Sequence, residues 1–488
     1  VPVDKLTVVA TPKGEYLNAV VTAAGIATSA VLKTLLPEAI LATPFPKSMR
    51  WADLSISFAR PIVSILALFG TGVIPFDVGN VRSGRTCLGH RFMHPKKIRI
   101  SEPSVYAEAL RPAFVVVDAA ERRKLIADAA AQAAAAAGGR VLPDAGLLDI
   151  NTYLVEYPAV AVGRFSDEFL ELPAEVLITA MREHQKYFAV TDAAGALLPR
   201  FIAVNNTPVK DMAVVVRGHE RVLRARLEDA KFFYRSDKAV PLDRQVEKLK
   251  NVLFQAQLGS VYDKVCRVQA LAGCVAGLAG GDDDFRRQVE RAAWLCKADL
   301  VSQMVGEFPK LQGVMGRVYA LVQGEPQPVA AAIEEHYRPT ASGGALPETP
   351  AGAVLAIADK IDTICGCFRA GLIPTGAADP YALRRQGIGV VQIMRQRAFG
   401  FSLAAVVDRS LSGFDGAGAA PPDTAAKILA FLEGRTVVRA GASVEKLLAM
   451  APFFAEMGAQ GADALLRARQ RDACAGVDPA RDHCAGLS

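Results

Sequence analysis

Up to about residue 205 the apolar positions fall in short β-branched or aromatic runs, at residues 16–21, 113–117, 160–165 and 201–205. Stretches of helical spacing such as residues 119–137 separate them. From His219 to about Arg397 the pattern changes to long stretches with a period near 3.6 and few strand signals. Gly- and Pro-bearing breaks at residues 342–352 and 374–380 punctuate this helical half, and residues 412–422 read as a linker into a further short helical segment. The pattern predicts an α+β multidomain protein: an N-terminal α/β domain over residues 1–216, an all-helical domain over 217–405, and a linker with a partial helical C-terminal domain over 406–488. No repeat of fixed period is present. After about Gln470 apolar periodicity stops, which suggests a frameshifted end, with a natural tail as the alternative.

Composition narrows the class. With 488 residues the chain exceeds what one hydrophobic core accommodates, so two or three domains are expected. At 51% hydrophobic and 22% charged residues it can bury a core. The most apolar stretch, residues 62–69, is far shorter than the roughly 20 residues of a membrane-spanning helix, so no membrane span is expected. The Ala run at 129–137 has an exposed-helix composition. Val1 is followed by no signal-peptide layout, and the start reads as cut rather than processed. Eight scattered Cys without Cys-x-x-Cys spacing exclude a disulfide framework and a paired-Cys zinc site, and point to a reducing cytoplasm.

Several reaction classes lack their residues. The sequence contains no Gly-Lys pair, hence no P-loop, and no Gly-x-Ser-x-Gly elbow. A helical metal phosphohydrolase of the HD type needs an adjacent His-Asp pair, and none of the six His precedes Asp. In the helical core that leaves Asp299, His336 and Asp359 as degenerate candidate ligands, too few for a convincing metal site.

Basic clusters carry more. From Arg217 to Lys250 ten Lys or Arg face six acids, and Arg217, Arg221 and Arg224 fall at i, i+4 and i+7 on one helix face. Such a stripe can track phosphates, or it can be a solvated face paired with Glu228 and Asp229. Arg384 and Arg385, followed by Arg395 and Arg397, stand in a stretch without any acid from Tyr381 to Val407. They either await an anion or pair with acids of a neighbouring helix. Lys186 sits in Arg182-Glu183-His184-Gln185-Lys186-Tyr187-Phe188, where bases and aromatics interleave as in stacking on unpaired bases, although Tyr187 and Phe188 also suit the start of a buried strand.

The strings themselves are distinctive. Phe45-Pro46-Lys47-Ser48-Met49-Arg50-Trp51, Gly89-His90-Arg91-Phe92-Met93 and His184-Gln185-Lys186-Tyr187-Phe188 are followed by Arg224-x-Arg226-Leu227-x-Asp229-Ala230 and Lys297-x-Asp299-Leu300. Then come Gln312-Gly313-Val314-Met315-Gly316, Ala356-Ile357-Ala358-Asp359-Lys360-Ile361-Asp362 and Asp379-Pro380-Tyr381-Ala382-Leu383-Arg384-Arg385. Over about residues 5–450 the set resembles the beta subunit of bacterial two-subunit glycyl-tRNA synthetase.

That resemblance implies an aminoacyl-tRNA synthetase assembled as a heterotetramer with an alpha subunit, in which alpha uses ATP and Mg to activate glycine while beta positions tRNA-Gly. It implies no catalytic residue, cofactor or metal on this chain. The expected regions are an N-terminal one similar to phenylalanyl-tRNA synthetase beta, an HD-like helical domain in which Lys297-Ala298-Asp299 replaces the His-Asp pair, and an anticodon-binding segment cut short at the C-terminus. Arg217, Arg221, Arg224, Arg226, Arg384, Arg385 and Lys186 are the candidate tRNA-binding residues. A degenerate HD-type phosphohydrolase or a non-catalytic RNA-binding scaffold is the alternative.

Overall fold

The structure, a computed structural model, describes residues 6–12, 14–19, 25–341, 343–376, 378–414 and 421–439. Residues beyond 439 and the linker core 415–420 fall outside it, and with them most of the segment expected at 406–488 and the reading of the chain after Gln470. The chain forms two compact units, one built from residues up to 164 with 186–219, the other from 165–185 with the residues from 220 onward.

The first unit opens with an antiparallel hairpin, β1 (Leu6–Thr11) and β2 (Gly14–Ala19), and helix α1 (Thr28–Ala42). Leu32, Leu36 and Ile40 recur every fourth residue along α1 and pack on Ala67, Ile74, Phe76 and Val78. Short strands surround that cluster: β3 (Ile65–Leu66), β4 (Leu68–Phe69), β5 (Gly72–Val73), β6 (Asp77–Val78), β7 (Val81–Gly84), β8 (Thr86–Leu88) and β9 (Lys97–Arg99). Helices α2 (Tyr106–Leu110), α3 (Ala119–Ala136) and α4 (Ala145–Leu154) follow. Asp118 and Asp144 cap α3 and α4 by accepting from the backbone N–H of Glu121 and Leu147.

The main sheet of this unit is antiparallel, with β10 (Arg140–Val141), β11 (Ala159–Arg164), β12 (Phe188–Thr191) and β13 (Leu197–Asn205) in the order β10-β12-β13-β11. Ile126, Ala130, Ala134 and Leu147 pack against Phe188, Val190 and Ile202. Each large apolar side chain so buried contributes about 1.5–3 kcal/mol. Two expectations change here. The Ala run is not simply exposed, because Ala130 and Ala134 face this core. Residues 113–117 are not a strand: Ala113 ends a 3-10 turn and Phe114 takes a left-handed conformation with φ 59°, which reverses the chain.

The second unit is predominantly helical. It contains α5 (Ala174–Thr179), which continues into one π-helical segment (Ala180–Gln185), and the part of α6 (Met212–Lys238) from Glu220 on. Next come α7 (Leu242–Lys248), a small hairpin of β14 (Leu253–Gln255) and β15 (Gly259–Ser260), α8 (Val261–Leu278) and α9 (Asp283–Leu295). The series ends with α10 (Gln303–Glu307), α11 (Val314–Val322), α12 (Gln327–Glu335), α13 (Pro350–Arg369), α14 (Leu383–Arg397), α15 (Leu403–Ser412) and α16 (Thr424–Arg439). The hairpin departs from the all-helical expectation, and the described chain is a mixed α and β protein.

Helix α13 is the hub. Thr349 caps it, Pro350 occupies its first turn, and every residue from Ala351 to Phe368 is buried against α8, α9, α12, α14, α15 and α16. A helix apolar on all sides belongs in a core. That α13 also carries Asp359, Lys360 and Asp362 there is the fact from which the site follows.

Candidate functional site

Buried charges are costly unless paired, so the partners of the α13 charges are fixed by necessity. From α8, Lys264 donates to an Asp362 oxygen at 3.1 Å and to the Thr363 hydroxyl at 2.8 Å, and lies 3.1 Å from the other face of the cluster at Asp359. Arg267 closes on Asp362 at 2.8 Å. Lys297, just after α9, donates to His336 Nε2 at 2.7 Å and to Asp359 Oδ2 at 3.3 Å, and lies 4.1 Å from the centre of the Tyr337 ring. Lys360 donates to the His336 carbonyl at 2.8 Å.

The tautomer of His336 is set by its partners. Its Nδ1 lies 2.6 Å from the Ile333 carbonyl, which can only accept, so Nδ1 carries the proton and the Nε2 lone pair faces Lys297. Burial, reinforced by the Lys297 charge, holds the imidazole well below its ordinary pKa and therefore neutral. Burial pushes the Asp359 carboxyl upward, but Lys264 and Lys297 outweigh it and keep the group ionised, well below the carboxylate range. Burial also pulls Lys360 down to about 7.

Of the three degenerate positions, His336 and Asp359 thus converge, and they converge on an ammonium. A divalent ion would need the same Nε2 and the same Oδ2, both directed at Lys297 Nζ, so these residues do not fit a metal. Asp299 is elsewhere. Its Oδ2 accepts from the N–H groups of Gly313 at 2.6 Å and Gly316 at 3.1 Å at the start of α11, and burial pushes its carboxyl up to about 6. Gly313 has φ +82°, and a Cβ on Gly316 would stand 2.6 Å from an Ile333 methyl. The Gln312–Gly316 string and Lys297-x-Asp299 therefore hold one another. Among the described residues no three His, Cys, Asp or Glu side chains gather as a metal centre.

The cluster floors a pocket of about 510 Å³ in this unit, whose wall includes Lys264, Lys297, Lys310, Lys360 and Arg385 and only one carboxylate, Asp359. Lys264, Arg267 and Lys360 were not singled out from the sequence. The available signal was charge inside an otherwise apolar 20-residue helix, α13.

The predicted cationic residues divide. Arg221 and Arg224 on α6, and Arg217 earlier on the same helix, are exposed and make no ion pair among the described residues, with Glu228 and Asp229 or otherwise. Arg226 is half-buried and 3.6 Å from Glu307. In α14, Arg384 is half-buried and Arg385 exposed, and neither pairs with an acid among the described residues, while Arg397 donates to the Pro347 carbonyl. Asp379 explains the string before them: it accepts from the N–H of Leu383 and Arg384 at 2.8 and 3.0 Å and so caps α14, while Ala382 bends with φ 52°. Lys186 is half-buried, has φ 58°, and its carbonyl accepts from Asn151.

Tyr187 and Phe188 are buried, with Tyr187 stacked on Phe201 at 4.6 Å and its hydroxyl 2.7 Å from His219 Nδ1. They belong to the core and cannot stack on bases, as the strand reading required. His90 is likewise structural: it is fully buried, Nε2 donates to the Asn206 carbonyl at 2.8 Å, and Nδ1 accepts from Phe92 and Met93.

Comparison with known proteins places this architecture. A model of the glycyl-tRNA synthetase beta subunit family matches residues 1–448. The chain is 53% identical over 423 residues to the glycine–tRNA ligase beta subunit of Desulforapulum autotrophicum, covering 87% of this chain and 61% of that protein. It is 50% identical over 438 residues to the same subunit of Geobacter sulfurreducens, covering 90% of this chain and 64% of the relative. The chain therefore spans under two thirds of the length of these relatives. With a match over most of its length and half of the aligned residues identical, the chain belongs to the glycyl-tRNA synthetase beta subunit family.

Proposed function

We propose that this chain is the tRNA-holding beta subunit of a glycine–tRNA ligase, positioning tRNA-Gly for glycylation by an alpha subunit that supplies the ATP- and Mg-dependent chemistry. The observation that carries this reading is the set of arginines left without acidic partners in the helical unit, Arg221 and Arg224 on α6 with Arg384 and Arg385 on α14. Arginines with free guanidinium forks suit phosphate oxygens. Positioning alone can lower a barrier by several kcal/mol, about 7–11 in favourable cases, so a subunit without catalytic groups can still be needed for charging.

In this reading Arg217 and Lys186 extend the cationic surface of the N-terminal region, and Arg226 has a mixed role because Glu307 already engages it. Residues 1–216 act as the phenylalanyl-synthetase-beta-like region, residues 217–405 as an HD-like domain without its metal, and residues 406–488 as part of an anticodon-binding segment. Scattered cysteines support a cytoplasmic setting. No helix among the described residues is long and apolar enough to cross a membrane.

The test is binding of labelled tRNA-Gly and of a non-cognate tRNA to this chain, with and without the alpha subunit, at two salt concentrations. Saturable binding that weakens steeply with salt and prefers tRNA-Gly is expected. Salt-insensitive or absent binding by the folded pair of subunits would remove the proposal. Hydrolysis of phosphate esters dependent on added divalent metal would instead favour the HD-type phosphohydrolase, which the Lys297–His336 contact opposes.

A further inference from the structure

We infer that the pocket over α13 is a binding site for a small phosphate-bearing ligand, held chiefly by Lys360 and Arg385. The inference rests on an excess of positive charge that the protein does not itself neutralise. Within the wall, Lys310 is taken by Glu183 at 2.7 Å, and Asp362 behind the wall is shared by Lys264 and Arg267. Lys264, Lys297, Lys360 and Arg385 then face one carboxylate, Asp359, which Lys264 and Lys297 approach directly. Asp359 attracts Lys360 without an ion pair, and no acid among the described residues forms an ion pair with Lys360 or Arg385.

Donor accounting gives the same result. An ammonium has three N–H groups, and a buried one left unused is costly. Lys360 is 5% exposed, yet its single acceptor among the described residues is the His336 carbonyl, so in its protonated form, which an entering anion favours, two N–H groups remain. Asp359 attracts it, but Lys297, Lys264 and Arg385 all add positive potential at its nitrogen. A phosphate would satisfy both spare donors and reverse that potential, and Arg385 at the open side offers the fork that phosphate oxygens accept.

Size sets the class of ligand. A volume of about 510 Å³ lies within the range of small-molecule sites. Lys264, Lys297 and Lys360 are buried, which favours a ligand small enough to enter the pocket over phosphates on the outside of an RNA duplex. Inorganic pyrophosphate and a nucleoside triphosphate share the required chemistry. The site shares Arg385 with the tRNA reading but not Lys360, so loss of tRNA binding with pyrophosphate binding kept, or the reverse, separates the two.

Calorimetric titration of the chain with pyrophosphate, with ATP, with adenosine and with an RNA hairpin tests it. Saturable binding of pyrophosphate or ATP and none of adenosine is expected. If only ATP binds, a base-bearing ligand is indicated, and if both bind alike the site reads phosphate alone. Lys360→Met, which removes a buried charge without removing volume, should weaken binding by about tenfold or more. Arg385→Ala, on the surface, should weaken it similarly and serves if the buried variant fails to fold. Absence of binding by either anion to the folded chain, equal binding by both variants, or affinity confined to the RNA hairpin would each overturn the inference.

Discussion

Lys297 shows how one residue changes the chemistry open to a helical core. Its ammonium bridges His336 and Asp359, groups that could otherwise share a cation from solution. Because it is covalently attached, its positive charge is present at every metal concentration, and the site is held by folding alone. Removing one partner from a buried pair leaves a charge under-compensated, here Asp359 with Lys264 as its remaining ion-pair partner among the described residues. Lys297→Met should therefore lower the unfolding free energy by about 3 kcal/mol in urea denaturation. A loss below about 1 kcal/mol, the size of an ordinary substitution, would show that the bridge is not structural.

Lys360 makes a pH prediction with a definite sign. Burial first, against the attraction of Asp359 and with the repulsion of Lys297, Lys264 and Arg385, lowers its pKa to about 7 from an ordinary value of 10.5. Between those values the unfolded chain binds more protons than the folded one, so this residue makes stability rise with pH across that window. His336 acts in the same sense lower down: held neutral in the fold, it costs stability as pH falls through its unfolded value near 6.5. The urea midpoint measured from pH 6.5 to 10 should climb more steeply in the wild type than in Lys360→Met. Parallel curves would mean that Lys360 keeps its ordinary pKa in the fold.

At the scale of elements, what the sequence revealed depended on whether a rule of period or capping applied. Helix α3 and strands β11 and β13 fall where apolar spacing places them, because each has one buried face. Residues 113–117 have the β-branched composition of a strand but not the geometry, since the turn at Phe114 is a tertiary matter that spacing does not report. The arginines of α6 and α14 were visible as charge, but their lack of partners was not, because pairing is decided by helices far apart in sequence. The cluster around α13 was the least legible part: a buried Lys and an exposed one look alike in a sequence, and His336 lies 39 residues from Lys297.

Asp379 offers a test of this local reasoning. It caps α14 from four residues ahead, and the helix delivers Arg384 and Arg385. Asp379→Ala should cost about 1 kcal/mol of stability, and Asp379→Asn should retain most of the cap. Circular dichroism melts of the two variants decide it, and equal losses would show that the charge rather than the cap matters.

For the whole molecule, a net charge of +6 spread over 488 residues is too small to demand an anionic partner, so any affinity for tRNA must come from where the charges stand. This makes the salt dependence more informative than the affinity. Each phosphate contact releases condensed counterions and contributes roughly 0.7–0.9 to the slope of log affinity against log salt. Arg221 and Arg224 lie one turn apart on an exposed face without acidic partners, so their removal costs no ion pair within the described fold. The double variant Arg221→Ala/Arg224→Ala should keep the melting behaviour of the wild type while its slope with tRNA-Gly flattens by about 1.4–1.8. Arg287→Ala is the control, since that exposed arginine already engages Asp284 at 3.2 Å and should leave the slope as it was. If the double variant and the control give the same slope as the wild type, α6 does not touch the RNA, and Arg384→Ala/Arg385→Ala becomes the variant on which the tRNA-holding role depends.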